Sequence, residues 1–354
     1  MFVLSMTIGF YNPYLDGLGG GERYTLTLAS HWSKTHDVFL FWDDQSIIKR
    51  SSERFNLDLS RIKVVRNIFQ HNNLLNKLVL SKQYDLIFFL TDGSIPASAA
   101  KHNILHFQVP FPRLSFSSIK MHAFQSIVCN SRFTLHYLDQ RFQKRATVIY
   151  PPVAPGSAPL RQKKKIILSV GRFSSYFQAK KQEILINAFQ KVLETKKMMG
   201  WRLVLAGGLL ESDQTYYKQL VDRANGISVD FFPNISFDML RTYYQDSALY
   251  WHAAGYHETD PTLMEHFGIS TVEAMSFGCI PLSYDGGGQP EIIQDGVNGF
   301  LWSTTEELIE KTYRVIDDTT LAMNVQDASI ARAKDFDTKR FFGDFDALLS
   351  QITS

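Results

Sequence analysis

Short apolar runs alternate with helix-length stretches along almost the whole chain, and this alternation limits the possible folds most strongly. Strands separated by intervals long enough for a helix are typical of βαβ units, in which the strands pair in parallel. We predict two sets of strands: residues 3–10, 38–42, 86–90, 104–107, 127–129 and 147–149, and then 166–170, 202–206, 229–232, 249–252, 280–283 and 299–301.

A segment that disfavours helix separates the two sets. Residues 151–159 read PPVAPGSAP, and a basic run follows at 161–165. Proline disrupts helices, and an exposed basic run favours solvent, so we predict a linker at 151–165. The predicted fold is α/β, with two Rossmann-like domains at 1–150 and 166–335 whose parallel sheets face a central cleft. Residues 336–354 have the apolar spacing of an amphipathic helix, which we expect to pack back toward the N-terminal domain.

Length and composition exclude several classes of protein. A chain of 354 residues suits two cores better than one. The sequence contains no uninterrupted stretch of about 18 apolar residues, so we predict no membrane-spanning helix. The apolar first residues lack a basic leader and a cleavage site, so we expect a buried strand there and not a signal peptide. Cys129 and Cys279 lie in separate apolar segments, which argues against a disulfide and favours the cytoplasm.

The charge of the chain is uneven. Residues 1–150 contain 17 Lys and Arg against 10 Asp and Glu, a formal charge of +7, whereas the whole chain is +2. A basic half suits an anionic membrane or lipid phosphate, although an uneven solvated surface explains the same count. We predict no nucleic-acid partner, because no known binding pattern accompanies the charge. The candidate residues for peripheral membrane contact are Arg113, Lys120, Lys144, Arg145, Phe111 and Phe116.

The most informative motif is residues 264–278, MEHFGISTVEAMSFG. Glu265 and Glu273 stand eight positions apart, and Gly268 precedes a predicted helix. Free backbone N–H groups at a helix start form a site suited to a diphosphate. Glu273 on that helix suits the hydroxyls of a ribose, and Glu265 suits a sugar. The alternative is that either glutamate only stabilises the helix dipole.

A second motif places cations at the end of another predicted strand. Residues 167–172 read ILSVGR, and residues 180–189 read KKQEILINAF. A guanidinium from Arg172 and an ammonium from Lys180 or Lys181 can bracket a diphosphate. Of the two lysines, we favour Lys180.

Together with GGGQPEII at 286–293 and DGVNGF at 295–300, these motifs resemble the donor domain of GT-B glycosyltransferases, and specifically family 4. The phrase EHFGI resembles the mannosyltransferase branch that builds lipid-linked oligosaccharides. The resemblance implies a retaining enzyme without metal or other cofactor. It would transfer a mannose- or glucose-type hexose from a GDP- or UDP-sugar to a saccharide or lipid-linked acceptor.

The resemblance also implies roles for individual residues. Glu273 would hold the ribose and Glu265 a hydroxyl of the transferred sugar, while Arg172 and Lys180 would stabilise the departing diphosphate. The main chain of Phe267, Gly268 and Ile269 would line that diphosphate, and Gly287 would let the chain pass close to the donor. The role of His266 stays open.

The N-terminal half contributes weaker signals. Gly20 and Gly21 partly match a family run that faces the donor phosphates, and Glu22 excludes a dinucleotide fingerprint. A plain strand-to-helix turn remains the alternative. His106 resembles a family histidine that borders sugar and acceptor, so we include it among the catalytic candidates beside a structural role. Asn130 or Ser131 is predicted to cap a helix.

Other classes remain as alternatives. A nucleotide-sugar epimerase or a phosphorylase of the same architecture is one, and a non-catalytic sugar-binding protein is another. Residues 335–337 and 344–346 both read DFD, a pattern that can hold a divalent ion. Both fall in a predicted helical region and not at a sheet edge, and in a helix the two aspartates of 344–346 would not face each other. We therefore predict no metal site.

Overall fold

The computed structural model describes residues 5–114, 122–154, 156, 163–176 and 178–354. The chain divides into two compact units: an N-terminal unit, Met1–Pro152 with Lys339–Ser354, and a C-terminal unit, Val153–Thr338. The beginning of the first predicted strand, Phe116, Lys120 and residues 155 and 157–162 of the predicted linker lie outside the described residues.

A parallel sheet forms the centre of the N-terminal unit. Among the described residues its order is β3-β2-β1-β4-β5-β6-β7. The strands are β1 (Thr7–Tyr11), β2 (Asp37–Phe41), β3 (Lys63–Val65), β4 (Leu86–Leu90), β5 (His102–Phe107), β6 (Ser126–Cys129) and β7 (Ala146–Val148). The helices of this unit are α1 (Gly20–Trp32), α2 (Ile47–Phe55), α3 (Ile68–His71), α4 (Leu74–Ser81), α5 (Arg132–His136) and α6 (Gln140–Gln143).

Strand β4 shows why the apolar runs predicted buried strands. All five of its residues are buried. Leu86 and Phe88 belong to the hydrophobic cluster on one face of the sheet, and Ile87 and Phe89 belong to the cluster on the other. Alternate side chains point to opposite faces, so a strand covered on both sides must be apolar throughout. Strand β3 was missed because it is a short strand at the sheet edge with half-exposed valines.

The C-terminal unit is a second parallel sheet, in the order β10-β9-β8-β11-β12-β13. The strands are β8 (Lys164–Val170), β9 (Arg202–Gly207), β10 (Val229–Pro233), β11 (Ser247–His252), β12 (Ile280–Tyr284) and β13 (Phe300–Trp302). The helices are α7 (Gln182–Leu193), α8 (Gln214–Arg223), α9 (Phe237–Asp246), α10 (Ile269–Ser276), α11 (Gln289–Ile292), α12 (Thr305–Asp317) and α13 (Thr319–Ala333). Short 3-10 turns occur at Leu15–Gly17, Lys196–Met198, Glu211–Asp213, Pro261–Leu263 and Lys334–Phe336. The strand order reverses between β8 and β11, and ligands bind at such switch points in open α/β sheets.

The basic run before β8 differs from the prediction. Strand β8 begins at Lys164, inside the segment that we expected to be a linker. Lys164 and Lys165 are exposed, as predicted, but Lys163 is half-buried. Its ammonium donates to the backbone oxygens of Tyr244, Gln245 and Phe277 at 3.2, 3.0 and 2.6 Å. The last carbonyls of a helix lack partners within the helix, so a lysine that reaches them is held against the unit.

The final helix, α14 (Thr338–Thr353), packs in the N-terminal unit. Phe341, Phe345, Leu348 and Leu349 are buried in the cluster beneath α1. The rings of Phe345 and Trp32 meet edge to face with centroids 5.9 Å apart. This apolar stripe at helical spacing is what ties the end of the chain to the first sheet.

Within the described part of the chain, we find no helix with the length and apolar character needed to cross a bilayer.

Candidate functional site

The carboxyl ends of β8, β11 and β12 bring together most of the residues predicted for the site. Gly171 and Arg172 follow β8, and the glycine run at residues 286–288 follows β12. His252 ends β11, and Glu265 lies between β11 and α10. The carboxyl ends of parallel strands share one edge of the sheet, so these segments meet at the switch point of the C-terminal unit.

An ion pair joins the two central candidates. Lys180 Nζ lies 2.6 Å from Glu265 Oε2, and the two side chains are 17% and 16% exposed. His252 Nε2 lies 3.2 Å from the same oxygen. Among the described residues we find no hydrogen-bond partner for Glu265 Oε1. The cluster therefore holds one carboxylate oxygen and leaves the other as an acceptor.

The structure separates the roles of the two adjacent lysines. Lys181 caps α7 and pairs with Glu258 at 2.6 Å, away from Glu265. The stem of Lys180 passes over Gly171, where an added Cβ would lie 2.5 Å from Lys180 Cγ. Because this position has no room for a side chain, the strand end directs Lys180 into the cluster.

The charge state of Glu265 follows from its surroundings. Burial would raise the pKa of Glu265, but the charge of Lys180 and the hydrogen bond from His252 outweigh it and hold the pKa well below its usual range. The carboxylate is therefore ionised at neutral pH and only accepts hydrogen bonds. It suits the orientation of a hydroxyl-bearing ligand and not proton donation.

Helix α10 begins beside this cluster. Its cap, Gly268, has φ 119, a conformation that side chains disfavour, and an added Cβ would lie 2.3 Å from Gln289 Nε2. Tyr250 donates to Ser270 Oγ at 2.8 Å, which anchors the first turn. The side chain of Phe267 is buried against Phe336, so only the main chain of this residue is available to a ligand. The first N–H groups of a helix have no intrahelical partner, which suits this start to an anion.

The glycine run supports the backbone of the same segment. Gly287 has φ 62, and a Cβ there would lie 2.1 Å from the carbonyl oxygen of Glu265. Gly288 N donates to that oxygen at 2.7 Å, and a Cβ on Gly288 would lie 2.6 Å from Phe267 Cα. The run therefore allows a close backbone approach that holds Glu265 and Phe267 in place. The predicted contact of Gly287 with a donor stays a prediction.

Arg172 directly follows Gly171, over which the stem of Lys180 passes. The residue is exposed, and its guanidinium forms no ion pair with any residue in the described ranges. Its carbonyl accepts from Gln182 Nε2 at 2.9 Å, which fixes the backbone after β8. A fixed backbone with an unengaged guanidinium is well suited to bind an anionic ligand.

Glu273 lies one turn into α10 and is half-buried. Its Oε2 accepts from Tyr244 at 3.0 Å. Burial, together with the charge of Glu273, raises the pKa of Tyr244 well above its ordinary value, so the tyrosine remains a donor.

His266 is buried, and its Nδ1 contacts Gln178 Nε2 at 2.9 Å. Burial lowers the pKa of His266 to about 4.

His252 and Tyr244 were missed by the sequence analysis. His252 had a weak signal, because it is a polar residue at the end of the apolar run of β11. Tyr244 had no signal, because an aromatic residue on an amphipathic helix is normally a core residue. Only the packed structure shows which glutamate each one supports.

His106 lies in the core of the N-terminal unit. The residue is fully buried, and its ring stacks on Tyr24 at 4.1 Å and on Phe88 at 5.6 Å. Burial lowers the pKa of His106 to about 3, so the imidazole is neutral. Strand β5 is covered on both faces and directs this side chain into the core, which agrees with the structural role that was the alternative. Its contact with a substrate stays a prediction.

The glycine loop of the N-terminal unit forms the start of α1. Glu22 turns back to accept from Gly19 N at 2.7 Å, and an added Cβ on Gly21 would lie 2.4 Å from Gln108 Oε1. These contacts are those of a strand-to-helix turn, which was the alternative interpretation of Gly20 and Gly21. Their contact with donor phosphates stays a prediction. The predicted cap is confirmed at Ser131, whose Oγ accepts from Thr134 N at 2.9 Å.

Two further predictions concern the aspartates of the DFD runs and the aromatic residue Phe111. The aspartates of the DFD runs have protein partners: Asp335 accepts from Arg332 at 2.7 Å, and Asp346 from Trp32 at 3.0 Å. No group of three or more potential metal ligands occurs among the described residues. Phe111, a candidate for membrane contact, is half-buried, and its ring packs against Phe107.

Comparison with known proteins agrees with this architecture. Two Rossmann-like units are the architecture of the GT-B glycosyltransferases. The chain belongs to the family "Glycosyl transferases group 1", whose model matches residues 154–332. The predicted family and fold class are therefore confirmed.

Several relatives are similar in sequence. One is the human GDP-Man:Man(3)GlcNAc(2)-PP-Dol alpha-1,2-mannosyltransferase, which is 28% identical over 212 residues, covering 54% of this chain and 41% of that enzyme. The enzyme of the same name from Dictyostelium discoideum is 23% identical over 342 residues, covering 89% of this chain and 56% of that enzyme. The chain thus spans about half the length of these curated relatives.

Solved structures share the fold over nearly the whole chain. A glycosyltransferase from Rickettsia africae has a TM-score of 0.79 at 17% identity, covering 99% of this chain and 100% of that one. HepE from Anabaena, in complex with UDP and glucose, has a TM-score of 0.72 at 21% identity, covering 98% and 100%.

Proposed function

We propose that this glycosyltransferase is a retaining, metal-independent hexosyltransferase. It moves a mannose- or glucose-type sugar from a GDP- or UDP-linked donor to a saccharide or lipid-linked acceptor. The observation that carries the proposal is the cluster in which Lys180 and His252 hold one oxygen of Glu265.

The positively charged groups explain how the leaving diphosphate is stabilised in this proposal. A nucleoside diphosphate gains negative charge as the bond to the sugar breaks, and stabilising that charge lowers the main barrier. Arg172, Lys180 and the N–H groups at the start of α10 supply fixed positive charge for this purpose. In this proposal they take the role that a divalent ion has in metal-dependent glycosyltransferases.

The glutamates account for orientation. The ionised Glu265 accepts from a hydroxyl of the transferred sugar through Oε1, while Lys180 stays between that carboxylate and the diphosphate. Glu273, supported by Tyr244, accepts from the ribose hydroxyls. The main chain of Phe267, Gly268 and Ile269 lines the diphosphate.

The transfer step needs no protein base. The bond between the anomeric carbon and the diphosphate oxygen breaks as the acceptor oxygen forms its bond on the same face. The departing phosphate oxygen takes the acceptor proton, so charge and atoms balance and the anomeric configuration is retained. The depressed pKa of Glu265 agrees with this scheme, because this carboxylate does not titrate near neutral pH.

The names of the relatives support different donors. The human relative is named for GDP-mannose, and the Anabaena structure contains UDP and glucose. A thermal-shift panel of GDP, UDP, ADP and their sugars distinguishes the donors, since a ligand that binds the folded state raises its apparent stability. No shift with any of these compounds would contradict the donor-site assignment.

Turnover separates a transferase from the other classes. A radiolabelled nucleotide sugar, a saccharide acceptor and NMR of the product anomer test transfer and retention together. Release of label without a new glycosidic bond would favour a hydrolase. Binding without turnover would favour the sugar-binding protein. Full activity in EDTA is expected, and loss that Mn²⁺ restores would contradict metal independence.

We also propose that the enzyme works as a cytoplasmic protein at the surface of an anionic membrane. The +7 charge of residues 1–150 supports this location, together with the dolichol-linked substrate in the human relative's name. Arg113, Lys144 and Arg145 are exposed, although Arg145 also donates to the carbonyl of Phe124 at 2.7 Å.

A further inference from the structure

Helix α4 exposes apolar side chains that the proposed transfer reaction does not use. Leu74, Leu75 and Val79 are 57%, 73% and 66% exposed, and Leu80 is 37% exposed. Residues four positions apart lie on the same side of a helix, so Leu75 and Val79 are neighbours and Leu74 flanks them. Exposed apolar patches that are rimmed by polar residues often mark protein or membrane interaction sites. We call Leu74, Leu75, Val79, Leu80, Lys77 and Lys82 the α4 surface.

The helix is firmly anchored at both ends. Asn73 caps it by accepting from Asn76 N at 2.9 Å. Ser81 is fully buried, and its Oγ accepts from Ala99 N at 2.8 Å. The apolar residues are therefore presented to solvent by a formed helix whose last residue is fixed to the unit.

The charge of this region has one sign. Between Asp58 and Asp85 the chain contains the basic residues Arg61, Lys63, Arg66, Lys77 and Lys82, and no Asp or Glu. Lys77 lies within α4 and Lys82 directly follows it. The exposed aliphatic side chains thus share a helix with cations and have no anion in that stretch of sequence.

We propose that the α4 surface binds an anionic phospholipid bilayer and lies in the plane of its interface. This rests on the proposed function only in that a lipid-linked acceptor would be found there. An eight-residue helix is about 12 Å long, too short to cross a bilayer but long enough to insert an apolar face. Interfacial helices combine such a face with Lys or Arg that contact acidic headgroups.

The chemistry of the surface favours lipid over a protein partner. Its exposed apolar residues are all aliphatic, whereas protein interfaces are centred on aromatic and Arg side chains. Lysine stems can lie along acyl chains while their ammonium groups reach the phosphates. The residues that we first selected for membrane contact include no exposed apolar side chain among the described positions, so the α4 surface is the better site.

Vesicle co-sedimentation tests the proposal on the full chain. The vesicles are phosphatidylcholine alone or phosphatidylcholine with phosphatidylglycerol, at low and high salt. The test variant is Leu75→Ser with Val79→Ser. The matched control is Met199→Ser with Leu210→Ser, because these apolar residues of the C-terminal unit are 75% and 62% exposed. A second comparison uses two double variants. One combines Lys77→Glu and Lys82→Glu, and its counterpart combines Arg113→Glu and Lys144→Glu.

We expect wild type to bind the acidic vesicles and salt to weaken the binding. The Leu75 and Val79 double variant should need at least about tenfold more lipid for half-maximal binding. The Lys77 and Lys82 variant should be weakened more than its Arg113 and Lys144 counterpart. The Met199 and Leu210 control should bind as wild type, and thermal unfolding should be the same for all variants.

Three results would overturn the proposal. The first is that the wild-type protein does not bind acidic vesicles at low salt. The second is that the Leu75 and Val79 double variant binds vesicles as strongly as the wild-type protein does. The third is a wild-type dimer that these substitutions dissociate, which would make the α4 surface an interface between copies. Nucleotide thermal shifts on the same proteins test the donor site separately, so vesicle binding without a nucleotide shift would refute only the proposed function.

Discussion

Lys180 and Glu265 lie 85 residues apart in the chain, and their side chains form an ion pair of 2.6 Å at the switch point of the C-terminal sheet. Both side chains are largely buried, and His252 contacts the same carboxylate oxygen. Removing one member of such a pair leaves a buried charge without compensation. Substitutions in this cluster therefore affect stability and activity in ways that can be told apart.

Lys180→Met should lower turnover by about a hundredfold, because it removes a cation beside the departing diphosphate. It should also lower the free energy of unfolding by about 1–3 kcal/mol, because Glu265 stays buried without its partner. Lys181→Met is the matched control and should change turnover only slightly, since Lys181 pairs with Glu258. Steady-state kinetics and urea unfolding measure both effects. Equal loss of turnover in the two variants would contradict the assignment of Lys180.

Arg172→Ala should separate function from stability. Its guanidinium is exposed, so the free energy of unfolding should change by less than about 0.5 kcal/mol. Diphosphate binding should weaken, and turnover should fall by about a hundredfold, because a fixed positive charge is lost. Arg223→Ala on α8 is the control for loss of an exposed guanidinium. Unchanged nucleotide affinity in Arg172→Ala, measured by calorimetry, would refute its role.

His252→Phe should reduce kcat by about tenfold and leave the donor KM nearly unchanged, because outer-sphere partners orient the groups that contact substrate. His252→Gln should recover most of that loss, since its amide nitrogen can reach Glu265 as the imidazole Nε2 does. A purely structural role predicts instead that kcat follows the thermal stability of the two variants. Kinetics and thermal unfolding of both proteins decide between these accounts.

Gly287→Ala should destabilise the protein more than Gly296→Ala. Both residues have positive φ, 62 and 73, but a Cβ on Gly287 would lie 2.1 Å from Glu265 O, and one on Gly296 meets nothing within 4 Å. Gly296→Ala should cost about 1 kcal/mol from backbone conformation alone. Gly287→Ala should cost about 3 kcal/mol or more, because the backbone must also move. Equal costs in urea unfolding would show that the close approach is unimportant.

Acid unfolding should report the environment of Glu265. Its pKa in the folded state lies well below its unfolded value of about 4.3, so its stabilising contribution is complete above that value. The contribution is lost as pH falls toward the folded-state pKa. Glu265→Gln should therefore lose less stability than wild type between about pH 5 and pH 3. Glu310→Gln, which removes an exposed carboxylate, should follow the wild-type curve in the same unfolding series.

Most strands were predictable because a strand buried on both faces must be apolar along its length. Leu86–Leu90 was predicted with the bounds that the structure has. Lys63–Val65 was missed because an edge strand with half-exposed residues has no such pattern. Lys163 was misjudged for a related reason: composition predicts solvation, whereas the helix carbonyls that bind this lysine are distant in sequence.

The site shows the same division. The sequence by itself determined two sets of βαβ units, the glycines where backbone segments approach closely, and the glutamates around the start of α10, because these depend on local periodicity and conformational preference. Only the tertiary structure decided that Lys180, and not Lys181, meets Glu265, that His252 supports it, and that His106 is buried. Such pairings depend on which strand ends become neighbours and which face of a strand is covered, and no local stretch of sequence contains that information.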